Sequence, residues 1–125
     1  MSWVERWIGL PYAPLGRGSP GYDCLGLFMA VQAAEFGRRL DYGLVELGAE
    51  EGAAVARHIG EWQRVAVART GDAVLMCRGA GWHVGVALDD TRMLHAEAPA
   101  SAIDMFRTRK WGKRLDGIYR FVDHG

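Results

Sequence analysis

Gly21-Tyr22-Asp23-Cys24-Leu25-Gly26-Leu27-Phe28 is the stretch whose reading decides the fold. A cysteine preceded by Asp and by a Gly/Pro-rich loop, Gly16-Arg17-Gly18-Ser19-Pro20-Gly21, opens an apolar segment running to about Phe36. Read as a helix over 24–36, the segment puts Leu25, Phe28, Met29, Gln32 and Phe36 on one face, four of the five apolar. Asp23 suits the N-cap, and Gly37 followed by Arg38-Arg39 suits the stop. Cys24 then falls in the first turn, where unpaired backbone N–H groups and the positive end of the macrodipole favour a thiolate. A cysteine there also serves as a small apolar core residue. The rest of the chain has to decide between packing and chemistry.

The chain of 125 residues is long enough for one domain, 1–125, that buries a core without disulfide or metal staples. Half of it is apolar, and 15 basic residues balance 15 acidic ones, so no basic excess points to nucleic acid. Met1-Ser2-Trp3-Val4-Glu5-Arg6 does not resemble a signal peptide. No run approaches the roughly 18 apolar residues of a membrane span. These features fit synthesis in the cytoplasm, with some other carrier needed for action outside the cell. Cys24 and Cys77 do not make a disulfide framework.

Ser2-Trp3-Val4-Glu5 reads as a capping box opening a short helix that ends at Gly9, with Trp3 and Trp7 on one side. A second helix is expected over about Glu50 to Gly60. Strands follow: Gln63 to Ala68, Ala73 to Cys77, His83 to Leu88, Arg92 to Ala96 and Ile118 to Val122, with a turn at Asp89-Asp90. Helices first and closely spaced short strands afterwards predict an α+β fold, with N-terminal helices packed on a small antiparallel sheet. Arg107 to Arg114 forms a basic cluster around Trp111, read as a solvated loop or a contact for anionic glycan or a neighbouring subunit.

Of four histidines, His58 at a helix end and His124 near the C-terminus read as solvated. His83 and His95 lie on consecutive strands, nearly equidistant from the Asp89-Asp90 turn, so a hairpin brings them together. With Cys24 they suggest a Cys–His–His arrangement. The thiolate attacks, one imidazole takes and returns the proton, and the second group fixes the first ring's tautomer. A zinc site from Cys24, His83, His95 and Cys77 is the competing reading. Such sites usually take two ligands from a close pair such as C-x-x-C, which this chain lacks, and no metal or other cofactor is expected.

The order Gly9-Leu10-Pro11-Tyr12, Gly16-Arg17-Gly18, Tyr22-Asp23-Cys24-Leu25-Gly26-Leu27, Gly71-Asp72-Ala73-Val74-Leu75, His83-Val84-Gly85-Val86-Ala87-Leu88 and Leu94-His95-Ala96 resembles the NlpC/p60 cysteine peptidases. Gly117-Ile118-Tyr119-Arg120 resembles their phage-tail branch. The resemblance implies a papain-like α+β fold, with the nucleophile's helix packed on an antiparallel sheet that bears both histidines. It implies hydrolysis of amide bonds in peptidoglycan stem peptides, with Cys24 the nucleophile, His83 the general base and His95 the orienting member. It also implies Tyr12 at the oxyanion, together with the Cys24 N–H, and Asp23 as an acid that meets a substrate amine. Loop packing for Tyr12 and helix capping for Asp23 are the plainer roles. Many cell-wall members carry Ser after the cysteine; Leu25 here is nearer the phage-tail branch. The partners implied are stem peptides and tail-tip proteins, with the protein carried to the wall by a phage-like or gene-transfer particle. A structural tail-tip module, and acyl transfer to a lipid or another amide, are the alternatives.

Overall fold

The computed structural model describes residues 2–40, 42, 61–78 and 81–122. The expected helix Glu50 to Gly60, His58 and His124 lie outside the described residues.

The first turn is a 3-10 helix, Trp3–Trp7, with Ser2 as N-cap. The expected short helix with Ser2 at its cap is present, but the Ser2 hydroxyl accepts the N–H of Val4 rather than the Glu5 N–H of a capping box. Three residues per turn align positions three apart. Val4 and Trp7 are therefore the buried pair, and Trp3 instead meets Phe36 edge-on, centroids 5.4 Å apart.

A two-stranded ribbon follows, β1 (Arg17–Gly18) and β2 (Gly21–Tyr22), and hands the chain to α1 (Cys24–Phe36). The helix starts and stops where its sequence predicts. The Asp23 carboxylate accepts the Gly26 N–H at 2.7 Å, satisfying one of the orphan donors of the first turn. Gly37 takes the left-handed conformation, φ 67°, and its N–H closes on the Gln32 carbonyl. Burial extends beyond the single face expected. Leu27 and Val31 are buried along with Leu25, Phe28 and Gln32, while Met29 and Phe36 are only half-buried. The buried Gln32 amide is satisfied by donating to the Gly71 carbonyl and accepting from Arg38.

Six antiparallel strands form the sheet in the order β3-β8-β4-β5-β6-β7: β3 (Trp62–Val65), β4 (Ala73–Arg78), β5 (Gly81–Ala87), β6 (Arg92–Glu97), β7 (Ala100–Met105) and β8 (Leu115–Phe121). The α+β class holds. β3 ends three residues earlier than its alternation suggests, because side chains take its backbone groups. Arg107 donates to the Ala66 carbonyl, and Asp90 accepts the Ala68 N–H. β7, the β1–β2 ribbon and the short helix α2 (Arg109–Gly112) were not anticipated from the sequence.

Alternation along the strands makes two cores. Val84, Val86, Leu94 and Ala96 face α1, meeting Leu25, Leu27, Phe28 and Val31. On the alternate positions Val74, Met76, Ala87, Met93 and Ile118 close over Phe106 and Trp111. The basic segment, expected as a solvated loop, holds the short helix α2. Trp111 is 1% exposed and plugs the second core, while Arg109, Lys110, Lys113 and Arg114 stay on the outside.

Candidate active site

Cys24 is the first residue of α1 and is half-buried at the margin of the first core, against which Tyr12, Tyr22 and Trp82 also pack. The segment before it is held tightly. Tyr12 bridges Tyr22 in parallel, and the Tyr12 N–H donates to the Pro99 carbonyl at 3.0 Å. Gly26, in the first turn, has no room for a side chain, since a Cβ there would stand 1.9 Å from the Gly16 carbonyl oxygen. The loop before Cys24 and the first turn after it are therefore locked together. From this head α1 runs across β5 and β6, the two strands that carry the histidines.

Asp23 is buried, and its Oδ1 serves both the helix cap and Arg17, whose Nη1 donates at 2.5 Å. Its other oxygen, Oδ2, is buried without a hydrogen-bond partner. The capping role expected of Asp23 is present. Leu25 is 1% exposed and turned into the first core.

His83 and His95 meet. Their strands are paired only over Val86↔Leu94 and Ala87↔Met93, and beyond that short ladder the two rings make the link, His83 Nε2 to His95 Nδ1 at 2.7 Å. Both residues are buried, 3% and 2% exposed. The rings stand nearly perpendicular, and Trp111 completes the box, stacked on His83 at 5.5 Å and 17° and edge-on to His95 at 5.4 Å. Lys110 and Arg114 lie over the Trp111 ring. The outer nitrogen of His95, Nε2, reaches Asp104 Oδ2 on β7 at 3.1 Å, and Glu97 Oε2 stands 3.8 Å from Nδ1. Sequence reasoning missed Trp111, Glu97 and Asp104 as neighbours of the histidines.

The donor atoms of His83, His95 and Glu97 lie within 4.8 Å of one another, and no cysteine belongs to this group among the described residues. Two ring nitrogens 2.7 Å apart share a proton rather than a cation. Cys77 is a half-buried free thiol on β4, opposite Trp82. A groove of about 330 Å³ lined by Trp7, Leu10, Pro11, Pro20 and Tyr22, with Arg6 and Ser19 at its polar points, reaches to two residues before Cys24. Arg6 is tied there to Glu35, whose carboxyl is held below its usual range by the Trp7 N–H and by Arg6.

An α+β domain with a cysteine at a helix head and a histidine pair on the sheet beneath defines a class, and the family follows. Residues 9–120 match the model of the NlpC/P60 family, and the chain belongs to that family. Among solved structures it is similar to a lipoprotein-like NLP/P60 family protein of Staphylococcus aureus, with 21% identity and a TM-score of 0.73. That match covers 95% of this chain but only 39% of the staphylococcal one. It is also similar to the NlpC/p60 domain of the peptidoglycan hydrolase SagA, with 23% identity and a TM-score of 0.67 over 94% of this chain and 92% of that domain. Comparison with curated proteins gave no match. At these identities the structures speak for the fold.

Proposed function

We propose that this chain is a cysteine endopeptidase that hydrolyses amide bonds in peptidoglycan stem peptides. Cys24 is the nucleophile, His83 the general base and His95 the group that orients it. The observation that carries the reading is the 2.7 Å contact between His83 Nε2 and His95 Nδ1, on two strands crossed by the helix that Cys24 heads. With Nε2 of His83 committed to His95, Nδ1 is the nitrogen that serves the sulfur. The thiol proton passes from Sγ to Nδ1, the thiolate attacks the amide carbon, and the imidazolium returns the proton to the leaving amine. Water then releases the acyl group by the same route. The oxyanion is held by the Cys24 N–H at the head of α1 and by the Tyr12 hydroxyl. The family resemblance makes Asp23 the acid for a substrate amine, beside the capping role that its Oδ1 fills.

The substrate class rests on the family and on one similar structure being a peptidoglycan hydrolase domain. The groove beside Tyr22 has the size and apolar lining to take a peptide leading to the cysteine. Incubation with purified muropeptides tests the reading. Wild-type protein is expected to release new amine termini, and an outcome indistinguishable from Cys24→Ala would sink it.

The setting we propose is a phage-like tail that carries the domain to the wall. Leu25, buried where wall-resident members often have Ser, supports it. A second reading, a tail-tip module that no longer depends on turnover, is favoured by the outward basic side chains around α2. Particles carrying Cys24→Ala separate the two: a defect confined to wall penetration supports the enzyme, and normal infection supports the module.

A further inference from the structure

We propose that Asp104 is a positioning residue that sets the tautomer of the whole histidine pair. The inference deepens the hydrolase reading and rests on it only for the catalytic consequence. The geometry is a line of three groups on three adjacent strands: Asp104 Oδ2 to His95 Nε2 at 3.1 Å, then His95 Nδ1 to His83 Nε2 at 2.7 Å.

An ionised carboxylate only accepts hydrogen bonds, so the proton in the first contact sits on His95 Nε2. A neutral imidazole carries one N–H, so His95 Nδ1 is then an acceptor. The proton between the rings must belong to His83 Nε2. The one position left for the lone pair of His83 is Nδ1, which makes that atom the base. Without Asp104 the opposite arrangement is equally well bonded between the rings: His95 Nδ1–H donates to His83 Nε2, and the His83 proton moves to Nδ1. That tautomer offers a thiol no acceptor. The ring–ring hydrogen bond alone cannot choose between the two arrangements, and the carboxylate can.

The other charges around the pair do not replace this selection. Glu97 Oε2, at 3.8 Å from His95 Nδ1, is too far for a hydrogen bond. Lys110 and Arg114 lie over the Trp111 ring, 5.1 and 5.7 Å from its centroid. Met76, opposite His83 on β4, carries no charge. Asp104 is 42% exposed at its side chain, so its hold is weaker than that of a buried triad carboxylate. Its removal is expected to lower kcat by about tenfold, well short of the ~10⁴ known for such a carboxylate, with KM unchanged.

The test is long-range proton–nitrogen NMR of the histidine rings in the full chain at a pH where both are neutral, alongside kinetics on stem peptides. In the wild type both rings should carry the proton on Nε2. Asp104→Ala should move His95 towards Nδ1–H and mix the His83 tautomers. It should also move the acid limb of kcat/KM to lower pH, because a carboxylate that favours the imidazolium has gone. Asp104→Asn, whose carbonyl oxygen still accepts, should keep the tautomers but share the shift of the limb. Unchanged tautomers in Asp104→Ala, an Nδ1–H His83 in the wild type, or an unmoved limb in Asp104→Asn would overturn the proposal. A wild-type protein without hydrolytic activity removes the hydrolase reading instead, and the ring tautomers still decide the role of Asp104.

Discussion

The indole of Trp111 lies nearly parallel to the imidazole of His83, the planes 17° apart and the centroids 5.5 Å apart. It comes from a four-residue helix in a basic stretch, yet it packs on the histidine pair and plugs the second core. Trp111→Ala is expected to cost about 3–5 kcal/mol, a large part of an ordinary domain's stability. Urea denaturation measures it. Trp111→Phe keeps a ring against His83 and should retain most of the stability and activity.

Gly26 leaves no room for error at the head of α1. A methyl there runs into the Gly16 backbone oxygen at 1.9 Å, and a backbone atom cannot swing aside as a flexible side chain does. Gly26→Ala is expected to destabilise by about 1–3 kcal/mol and to displace the Asp23 cap. Activity should fall by more than the unfolded fraction explains, as circular dichroism beside a turnover assay would reveal.

Ser101 fastens the N-terminal segment to β7. Its buried hydroxyl donates to the Trp7 carbonyl at 2.6 Å and accepts the Leu10 N–H at 2.9 Å. Ser101→Ala leaves two backbone groups without that partner, at about 1–3 kcal/mol in total. The measured difference in unfolding free energy should lie in that range, with the fold otherwise intact.

The β5–β6 turn depends on a charge. The Arg92 guanidinium and the Thr91 N–H hold the Asp89 carboxyl well below its ordinary value of 3.8. A carboxyl whose folded pKa is depressed contributes stability that is fully present above the unfolded value and is lost as pH falls towards the folded one. Asp89→Asn should therefore destabilise at pH 7, and the gap from wild type should narrow steadily below about pH 4. Equal gaps at pH 7 and pH 2 in urea titrations would contradict this.

The bounds of α1 and the meeting of the two histidines are legible in the sequence because local chemistry and tertiary contacts agree there. Asp23 and Gly37 mark the ends of α1 in the sequence as they do in space, and Asp89-Asp90 marks the turn that brings His83 and His95 together. Asp104 was not legible. Ala100–Met105 has neither clean alternation nor turn residues around a strongly apolar run, so β7 owes its form to pairing with β6. Trp111 was hidden for a similar reason. Four residues carry no helical period, and five basic neighbours mask one buried ring whose burial is decided by the sheet beneath it. The face of α1 was drawn too narrow because Leu27 and Val31 are also covered.

The central claim is that Cys24 is activated by His83, and the pH dependence of its alkylation by iodoacetamide in a Cys77→Ser background tests it most directly. The account predicts rapid modification below neutral pH, where an ordinary thiol is almost wholly protonated, and loss of that acid-side reactivity in His83→Gln. A profile in which Cys24 reacts like a free thiol with pKa near 8.5, unchanged by His83→Gln, would contradict it.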